Sequence, residues 1–340
     1  MKRVCGVLLL CICLLWLGGC APQMAKTQIF AMDTIMELTA YGENAQHAIN
    51  GAVAELRRLD ALFSVTSQSG DVYKINHRTQ DTVEISAETA QLLRQAIACG
   101  QQTGGAFDVS VYPLMQLWGF NTKQYHVPST DEIAAVLPLI DCTQIKITQT
   151  GETYRVQLLA DMQIDLGGIA KGYAAHQAIG VLRAAGVTHA IVSLGGNVQA
   201  LGPRTDATPW SVGVTDPNNP AQLMGIVQIE DEAVVTAGDY QRFFELDGET
   251  YHHIMDPKLG MPANLGLASV TVVGSNGAQA DALATAFYVM GKERALQQYK
   301  AQGGYDVVFI EKNGQVTATA GLKERLTLQP GSYSLSVWEE

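Results

Sequence analysis

The stretch VQLLADMQIDLGG (residues 156–168) decides the fold class, because it has the pattern of a strand that ends in a glycine turn. Residues 169–185 follow with apolar positions at helical spacing, and HAIVSLGGNVQALG (residues 189–202) predicts a strand, a glycine turn and a further strand. This order of elements is typical of a mixed α/β architecture. We therefore expect an α+β protein with mixed sheets packed against helices.

The rest of the chain adds elements of both kinds. Alternation predicts a strand over residues 29–42, and helical spacing predicts helices over residues 43–62 and 86–103. FFELDGETYHHIM (residues 243–255) predicts a hairpin turning at Asp-Gly, and LASVTVVG (residues 267–274) predicts a buried strand. No Pro-rich or Ser-rich linker and no internal repeat interrupts this pattern, so we expect one catalytic domain over residues 28–340.

The N-terminus has the pattern of a targeting segment. Lys2 and Arg3 precede an apolar run over residues 4–17, and Leu-Gly-Gly-Cys ends at Cys20. These four residues resemble a bacterial lipobox, which predicts cleavage before Cys20 and its modification by lipid, including palmitate. The alternative is an ordinary signal peptide with an incidental cysteine. We expect a signal peptide over residues 1–19, a lipidated tether over residues 20–27, and an extracytoplasmic (periplasmic-side) protein anchored to a bacterial membrane.

The net charge and the cysteine content argue against two kinds of function, nucleic-acid binding and metal binding by cysteines. The net charge of −11 argues against a nucleic-acid binder, which phosphate backbones would repel. Beyond Cys20, only Cys99 and Cys142 remain, and neither has a CxxC partner or a nearby histidine, so a cysteine metal site is a weak hypothesis. Whether the two cysteines pair or stay buried is left open by the sequence.

The segment IDLGGIAKGYA (residues 164–174) is the first candidate for chemistry. Asp165 precedes the pair Gly167-Gly168, and a helix begins directly afterwards with Lys171 in its first turn. Free N–H groups at a helix start, together with a lysine, favour an anion such as phosphate. The alternative is an ordinary strand-to-helix turn capped by Asp165. GxGxxG and GxxxxGK[ST] signatures are absent.

The helical segment QADALATAF (residues 279–287) carries a second candidate. Asp281 and Thr285 lie one turn apart, so they share a helix face. A carboxylate and a hydroxyl are hard oxygen ligands of the kind that Mg²⁺ accepts beside substrate phosphates and water. The alternative is that Asp281 caps its helix and Thr285 bonds back to a preceding carbonyl, and this segment alone favours that alternative.

The paired histidines of YHHIMDPKLGMP (residues 251–262) are the third candidate. Neighbouring residues of a strand face opposite sides, so at most one of His252 and His253 is expected at a catalytic site. Either histidine could instead be structural.

Seven motifs together resemble one family, the bacterial FAD:protein FMN transferases (ApbE-like flavin transferases). In chain order, after the lipoprotein start, they are AMDT (31–34), GGAFDVSVYPL (104–114), IDLGGIAKGYA (164–174), SLGGNV (193–198), HIMDPKLGMP (253–262), SVTVVG (269–274) and ADALATAFYVMG (280–291). The resemblance implies an ApbE-like fold and a Mg²⁺-dependent enzyme that cleaves FAD, attaches FMN through a phosphodiester to a Thr or Ser hydroxyl of a partner protein, and releases AMP.

The resemblance also implies roles for individual residues. The residues expected to contact FAD are Met32, Ala106, Phe107, Asp108, Asp165, Lys171 and Met255. Asp281 and Thr285 are expected to hold Mg²⁺ with their side chains, and Gly168 with its backbone carbonyl. His253 is expected close to the reacting phosphate. Its ordinary pKa suits a general base at neutral pH, although Asp281 could serve instead.

The resemblance suggests an acceptor with a motif similar to Asp-Gly-x-Ser/Thr-x-Thr, on a subunit of a Na⁺-pumping quinone reductase or a related electron-transfer complex. Two alternatives stay open. One is an FAD pyrophosphatase, in which water attacks and FMN and AMP are the products. The other is a flavin-binding lipoprotein without catalytic activity.

Overall fold

The computed structural model describes residues 23–331 and 333–339, so the signal peptide and Cys20 lie outside the described residues. The helices are α1 (Ala45–Phe63), α2 (Asp71–Asn76), α3 (Ala87–Gln102), α4 (Tyr112–Leu117), α5 (Thr130–Val136), α6 (Ala170–Ala184), α7 (Gly277–Met290) and α8 (Lys292–Gln302). The strands of the main sheet are β1 (Met24–Ala31), β2 (Thr34–Tyr41), β6 (His189–Leu194), β7 (Asn197–Leu201), β10 (Ala233–Gly238), β15 (Leu267–Gly274), β16 (Asp306–Glu311), β17 (Gln315–Thr319) and β19 (Ser334–Trp338).

The remaining strands form four smaller pairs or sheets. They are β3 (Thr82–Ile85), β4 (Lys146–Thr150), β5 (Thr153–Gln157), β8 (Trp210–Asp216), β9 (Asn219–Ile229), β11 (Phe243–Leu246), β12 (Glu249–His252), β13 (Met255–Asp256), β14 (Met261–Pro262) and β18 (Leu326–Leu328). Strand β5 lies between β3 and β4, strand β9 lies between β18 and β8, and β11–β12 and β13–β14 are separate two-stranded ribbons.

The main sheet is covered on both faces, which gives three layers. Its nine strands are ordered β1-β2-β6-β7-β10-β15-β16-β17-β19, and the neighbours pair antiparallel except for the parallel pair β17–β19. Strand β16 shows the alternation: Val307 and Phe309 join the core under the helices, whereas Val308 and Ile310 join the core under the β18-β9-β8 sheet. A sheet with two apolar faces requires such a cover on each.

Helices α6 and α7 touch through glycine. A Cβ on Gly172 would lie 2.1 Å from the Gly277 carbonyl oxygen and 2.7 Å from the Asp281 Cβ, and a Cβ on Gly277 would lie 2.5 Å from the Gly172 carbonyl oxygen. Neither position leaves room for a side chain, so the two helix backbones approach directly. This contact brings the start of α6 against Asp281.

Most predicted elements are confirmed. The three long helices begin and end within two residues of their predicted bounds, with Ser86 as the N-cap of α3. The Asp-Gly hairpin is present, and both Asp247 and Gly248 have the positive φ angles that its tight turn needs. The predicted α+β architecture, with mixed helices and sheets, is the observed fold. No helix in the described ranges combines the length and apolarity needed to cross a membrane.

Three predictions of detail are wrong. Residues 29–42 form two strands rather than one, because Met32 and Asp33 both take positive φ and turn the chain back on itself. Strand β1 begins at Met24, so residues 24–27 belong to the sheet and not to a tether. Asp165 does not end a strand: the segment before it is held by the Asn76 side chain, which bonds both the N–H and the carbonyl of Ile164 at 2.8 Å.

The glycine contact between α6 and α7 is testable by Gly172→Ala. The added methyl group has no space, and overpacking of this kind costs about 1–3 kcal/mol in the free energy of unfolding. Gly180→Ala in the same helix is the matched control, because nothing lies within 4 Å of its added Cβ, and it should gain about 0.5–1 kcal/mol. Chemical denaturation measures both, and equal midpoints for the two variants would contradict the packing described here.

Candidate active site

The candidate site is built where α6 begins against α7. The Asp281 carboxylate accepts a hydrogen bond from the Gly172 N–H at 2.8 Å, across the two helices. The first N–H groups of a helix have no partner within their own helix, so Asp281 caps α6 rather than α7. The N-cap of α7 is Asn276, whose side chain accepts from the Gln279 N–H at 3.1 Å. The proposal that Asp281 caps its own helix is therefore excluded.

The hydrogen bond from Gly172 to Asp281 leaves the Gly168 carbonyl without a donor. Because the Gly172 N–H is turned to Asp281, the Gly168 carbonyl receives no hydrogen bond from the residue four positions later, and nothing else among residues 23–331 and 333–339 donates to it. Gly168 also lies close to Thr285, since a Cβ at Gly168 would be 3.6 Å from the Thr285 Oγ1. The helix contact thus brings Gly168, Asp281 and Thr285 together, and their role as metal ligands stays a prediction.

These three residues fit a hard cation. The Thr285 hydroxyl is half-buried and has no hydrogen-bond partner within the described part of the chain, so it does not bond back along its helix. One carboxylate oxygen, one hydroxyl and one backbone carbonyl are donors of the type that Mg²⁺ accepts when substrate and water complete its coordination. Among the described residues, no three His, Cys, Asp or Glu side chains are grouped so that they could hold a metal ion.

Asp165 and Lys171 lie in the turn that leads into α6. Asp165 accepts from the Gly167 N–H at 2.7 Å, and its own N–H donates to the Val109 carbonyl at 2.8 Å. Burial raises the pKa of the Asp165 carboxyl, while the Gly167 hydrogen bond and the charges of Arg242 and Lys171 lower it. Lys171 donates to the Gly167 carbonyl at 3.0 Å. The predicted turn is therefore charged and rigid.

The two histidines differ as predicted. His252 is buried, and its ring nitrogens face the Ala263 carbonyl at 2.9 Å and the Ile254 N–H at 3.3 Å, so it is structural. His253 is half-buried, and its Nδ1 donates to the Arg242 carbonyl at 3.1 Å. That bond places the proton on Nδ1 and leaves Nε2 as the lone-pair nitrogen. Desolvation, followed by the charges of Arg242, Lys171 and His252, lowers the pKa of His253 to about 3.

In the segment Ala106–Phe107–Asp108, the Phe107 ring lies against the glycine turn of the candidate site. A Cβ on Gly168 would lie 3.0 Å from the Phe107 ring, so the ring covers the glycine turn. The Asp108 carboxylate is buried and already occupied: it accepts from the Ser110 N–H and hydroxyl at 2.8 and 2.6 Å and from the Cys142 N–H at 2.9 Å. Asp108 therefore shapes this segment, and its flavin contact stays a prediction.

The other predicted flavin residues have different surroundings. Met32 lies in the turn between β1 and β2, where its N–H donates to the Asp60 side chain of α1 at 2.9 Å. The side chain of Met255 is buried in a small core with Met115, Trp118, Phe120 and Ile133. A cleft of about 420 Å³ beside Glu232, Tyr305 and Asp306 includes none of the predicted site residues.

The structure adds Arg242, which the sequence analysis missed. Its carbonyl orients His253, and its guanidinium group acts electrostatically on Asp165 and His253. The only sequence signal was a single arginine shortly before the predicted hairpin, which is too little to single it out.

Cys99 and Cys142 are free thiols in the buried core. Burial raises the pKa of Cys99 to about 12 and raises that of Cys142 as well, so neither is a reactive thiolate at neutral pH.

Comparisons with known proteins agree on one family. Residues 32–309 match the model of the ApbE family. The FAD:protein FMN transferase of Treponema pallidum is 30% identical over 97% of both chains, and that of Klebsiella pneumoniae is 32% identical over 82% of this chain and 87% of its own. The crystal structure of the ApbE protein of Thermotoga maritima is 32% identical and superposes with a TM-score of 0.83 over 89% of this chain and 99% of its own. The crystal structure of the apo form of the Pseudomonas stutzeri flavinyl transferase ApbE is 28% identical in sequence. It superposes with a TM-score of 0.80 over 91% of this chain and 98% of its own.

The lowered pKa of His253 predicts a pH dependence of stability. The folded state binds the His253 proton less tightly than the unfolded chain, whose ordinary value is 6.5, so this contribution is complete above pH 6.5 and is lost as the pH falls towards 3. His253→Gln removes the titration. The rise in the free energy of unfolding between pH 5 and pH 7 should therefore be smaller in His253→Gln than in the unmodified chain. Urea denaturation at both pH values measures it, and identical rises would show that His253 titrates normally.

Proposed function

The chain belongs to the ApbE family, and on that premise we propose that it is a FAD:protein FMN transferase. The observation that supports this most directly is that Asp281, Thr285 and Gly168 lie together beside the Lys171 turn, with the Gly168 carbonyl free of hydrogen bonds within the described residues. Oxygen donors for a divalent cation next to a lysine and a helix start suit a diphosphate, which is the central group of FAD.

We propose that the reaction moves the FMN half of FAD onto a Thr or Ser hydroxyl of an acceptor protein. The hydroxyl oxygen attacks the FMN-side phosphorus, a phosphodiester bond forms, and the P–O bond to AMP breaks so that AMP leaves. The hydroxyl proton passes to a base. Phosphoryl transfer requires mainly positioning and neutralisation of charge, which the site residues provide without a covalent intermediate.

The site residues have three proposed roles: metal binding, diphosphate binding and contact with the rest of FAD. Asp281, Thr285 and the Gly168 carbonyl would hold Mg²⁺, which when bound supplies positive charge to the diphosphate oxygens. Lys171 would bind the same anion, whereas the Ala170 and Gly172 N–H groups already donate to the Leu166 carbonyl and the Asp281 carboxylate. Phe107, with Ala106 and Asp108, borders the glycine turn and would contact FAD together with Met32, Asp165 and Met255.

His253 is the proposed base. Its Nδ1 proton is held by the Arg242 carbonyl, so Nε2 is free to accept the hydroxyl proton, and its lowered pKa keeps the ring neutral at pH 7. The charge of a bound diphosphate opposes the effect of Arg242 and Lys171 and raises the proton affinity of the ring when substrate is present. An imidazole that is neutral in the free enzyme and more basic in the substrate complex is suited to accept the hydroxyl proton.

We also propose that the protein acts outside the cytoplasm. Cleavage before Cys20 and lipidation there would anchor it to a bacterial membrane on the periplasmic side. Strand β1 begins at Met24, so the catalytic domain would be held close to that membrane. The proposed acceptor is a subunit of a membrane electron-transfer complex, such as a Na⁺-pumping quinone reductase.

The test of function uses the full chain in detergent with FAD, Mg²⁺ and an acceptor fragment that carries an Asp-Gly-x-Ser/Thr-x-Thr motif. We expect the fragment to gain the mass of FMN and AMP to appear in equal amount. A fragment with the acceptor hydroxyl removed is the control and should stay unmodified. Free FMN with an unmodified fragment would identify an FAD pyrophosphatase, and unchanged FAD would identify a flavin carrier.

The metal assignment is tested by Asp281→Asn. The amide oxygen still accepts the Gly172 N–H, so the folding of α6 is retained, but the charge that binds Mg²⁺ is lost and turnover should fall at least 100-fold. Thr285→Val should also lose most activity, and Thr285→Ser, which keeps the hydroxyl, is its matched control. Mass spectrometry of the acceptor measures each. Full activity in Asp281→Asn would refute the metal site.

A further inference from the structure

Arg242 occupies the same part of the molecule as the proposed base and the Lys171 turn. It precedes β11, outside the glycine-turn segments that suggested the site. The Arg242 carbonyl accepts hydrogen bonds from both the backbone N–H and the Nδ1 of His253, at 3.0 and 3.1 Å. Its position relative to His253 is therefore set by two bonds.

One nitrogen of the Arg242 guanidinium group is hydrogen-bonded, and the other two have no hydrogen-bond partner within the described residues. Its Nη2 donates to the Phe120 carbonyl at 2.8 Å, and this is its one hydrogen bond within the described residues. An arginine has five N–H donors in a planar fork, so most of them stay available. No Asp or Glu of the described chain forms an ion pair with it, although Asp165 is near enough to feel its charge.

Other cations lie around the same turn. The Lys171 ammonium group donates to the Gly167 carbonyl, its one side-chain hydrogen bond within the described residues, and the side chain of Lys258 passes 3.6 Å from the position of a Cβ on Gly105, next to Ala106. The chain as a whole carries a net charge of −11, so attraction for an anionic ligand has to come from local cations such as these. A planar guanidinium group binds phosphate oxygens in pairs, which an ammonium group does not.

We propose that Arg242 is a further substrate-binding residue, whose guanidinium group binds the diphosphate of the flavin substrate beside Lys171 and His253. This inference rests on the proposed function and deepens it. The bond to the Phe120 carbonyl fixes the guanidinium plane before substrate arrives, so little side-chain freedom is lost on binding.

The test is equilibrium flavin binding to the full chain in detergent, followed by fluorescence in EDTA, with FAD, FMN and riboflavin as probes. FAD and FMN carry phosphate, and riboflavin has the same ring without it. Arg242→Gln should weaken FAD binding at least tenfold and FMN binding in the same direction, and leave riboflavin binding unchanged. Arg242→Lys keeps the charge but loses the planar fork, so its FAD affinity should lie between those of Arg242→Gln and the unmodified chain.

Two controls separate substrate binding from structure. Arg204→Gln removes an arginine whose partner is the exposed Asp206, and it should leave all three affinities unchanged. Thermal melting checks that Arg242→Gln is folded. An equal loss of affinity for all three flavins would show a structural role, and unchanged FAD affinity would show no role; either result overturns the inference. If the unmodified chain binds no flavin, the proposed function itself fails and the inference fails with it.

Discussion

The hydrogen bond from the Gly172 N–H to the Asp281 carboxylate is the interaction on which the site depends. It requires the helix backbones to touch, so residues 172 and 277 must lack side chains. It takes up an N–H group that would otherwise donate to the Gly168 carbonyl, so that carbonyl has no donor within the described residues, and Gly168 lies close to Thr285. This one hydrogen bond therefore links the packing of α6 on α7 to the candidate site, because the helix contact also places the residues of the proposed metal site.

The charge distribution follows a second constraint. An acidic protein repels an anionic substrate over long distances, so affinity for a diphosphate must come from cations placed at the site itself. Lys171 and Arg242 come from distant parts of the chain, and both influence Asp165 and His253. Desolvation and, after it, these same charges lower the pKa of His253, which keeps the imidazole neutral at pH 7, and a bound diphosphate would oppose the effect of the two cations.

The sequence predicted those features that depend on local pattern. Helix bounds, the Asp-Gly hairpin and the pairing of Asp281 with Thr285 follow from spacing along one element. The turn at Met32 and Asp33 was missed because its residues are not glycine, and the positive φ angles there are imposed by the hairpin and by Asp60. Asp165 was expected at the end of a strand because residues 156–168 have a strand pattern, whereas in the fold the Asn76 side chain, 88 positions from Ile164, holds that segment in place of a neighbouring strand. Arg242 was missed because its neighbours, Phe120 and His253, become neighbours only in the folded chain.

The two halves of the site are held by different forces. Asp281 and Thr285 belong to α7 and Gly168 lies in the turn before α6, two helices packed on the nine-stranded sheet. His253 instead directly follows a two-stranded ribbon, and isolated ribbons of this kind are marginally stable. The ribbon is supported by aromatic packing: the ring of Phe244 stacks on those of Tyr125 and Tyr251, with centroids 4.7 and 5.2 Å apart. The Arg242 side chain ties the start of the ribbon to Phe120 in the same cluster. The position of the proposed base relative to the proposed metal ligands is therefore set by this aromatic cluster on one side and by Ile254, which is buried in the main core, on the other.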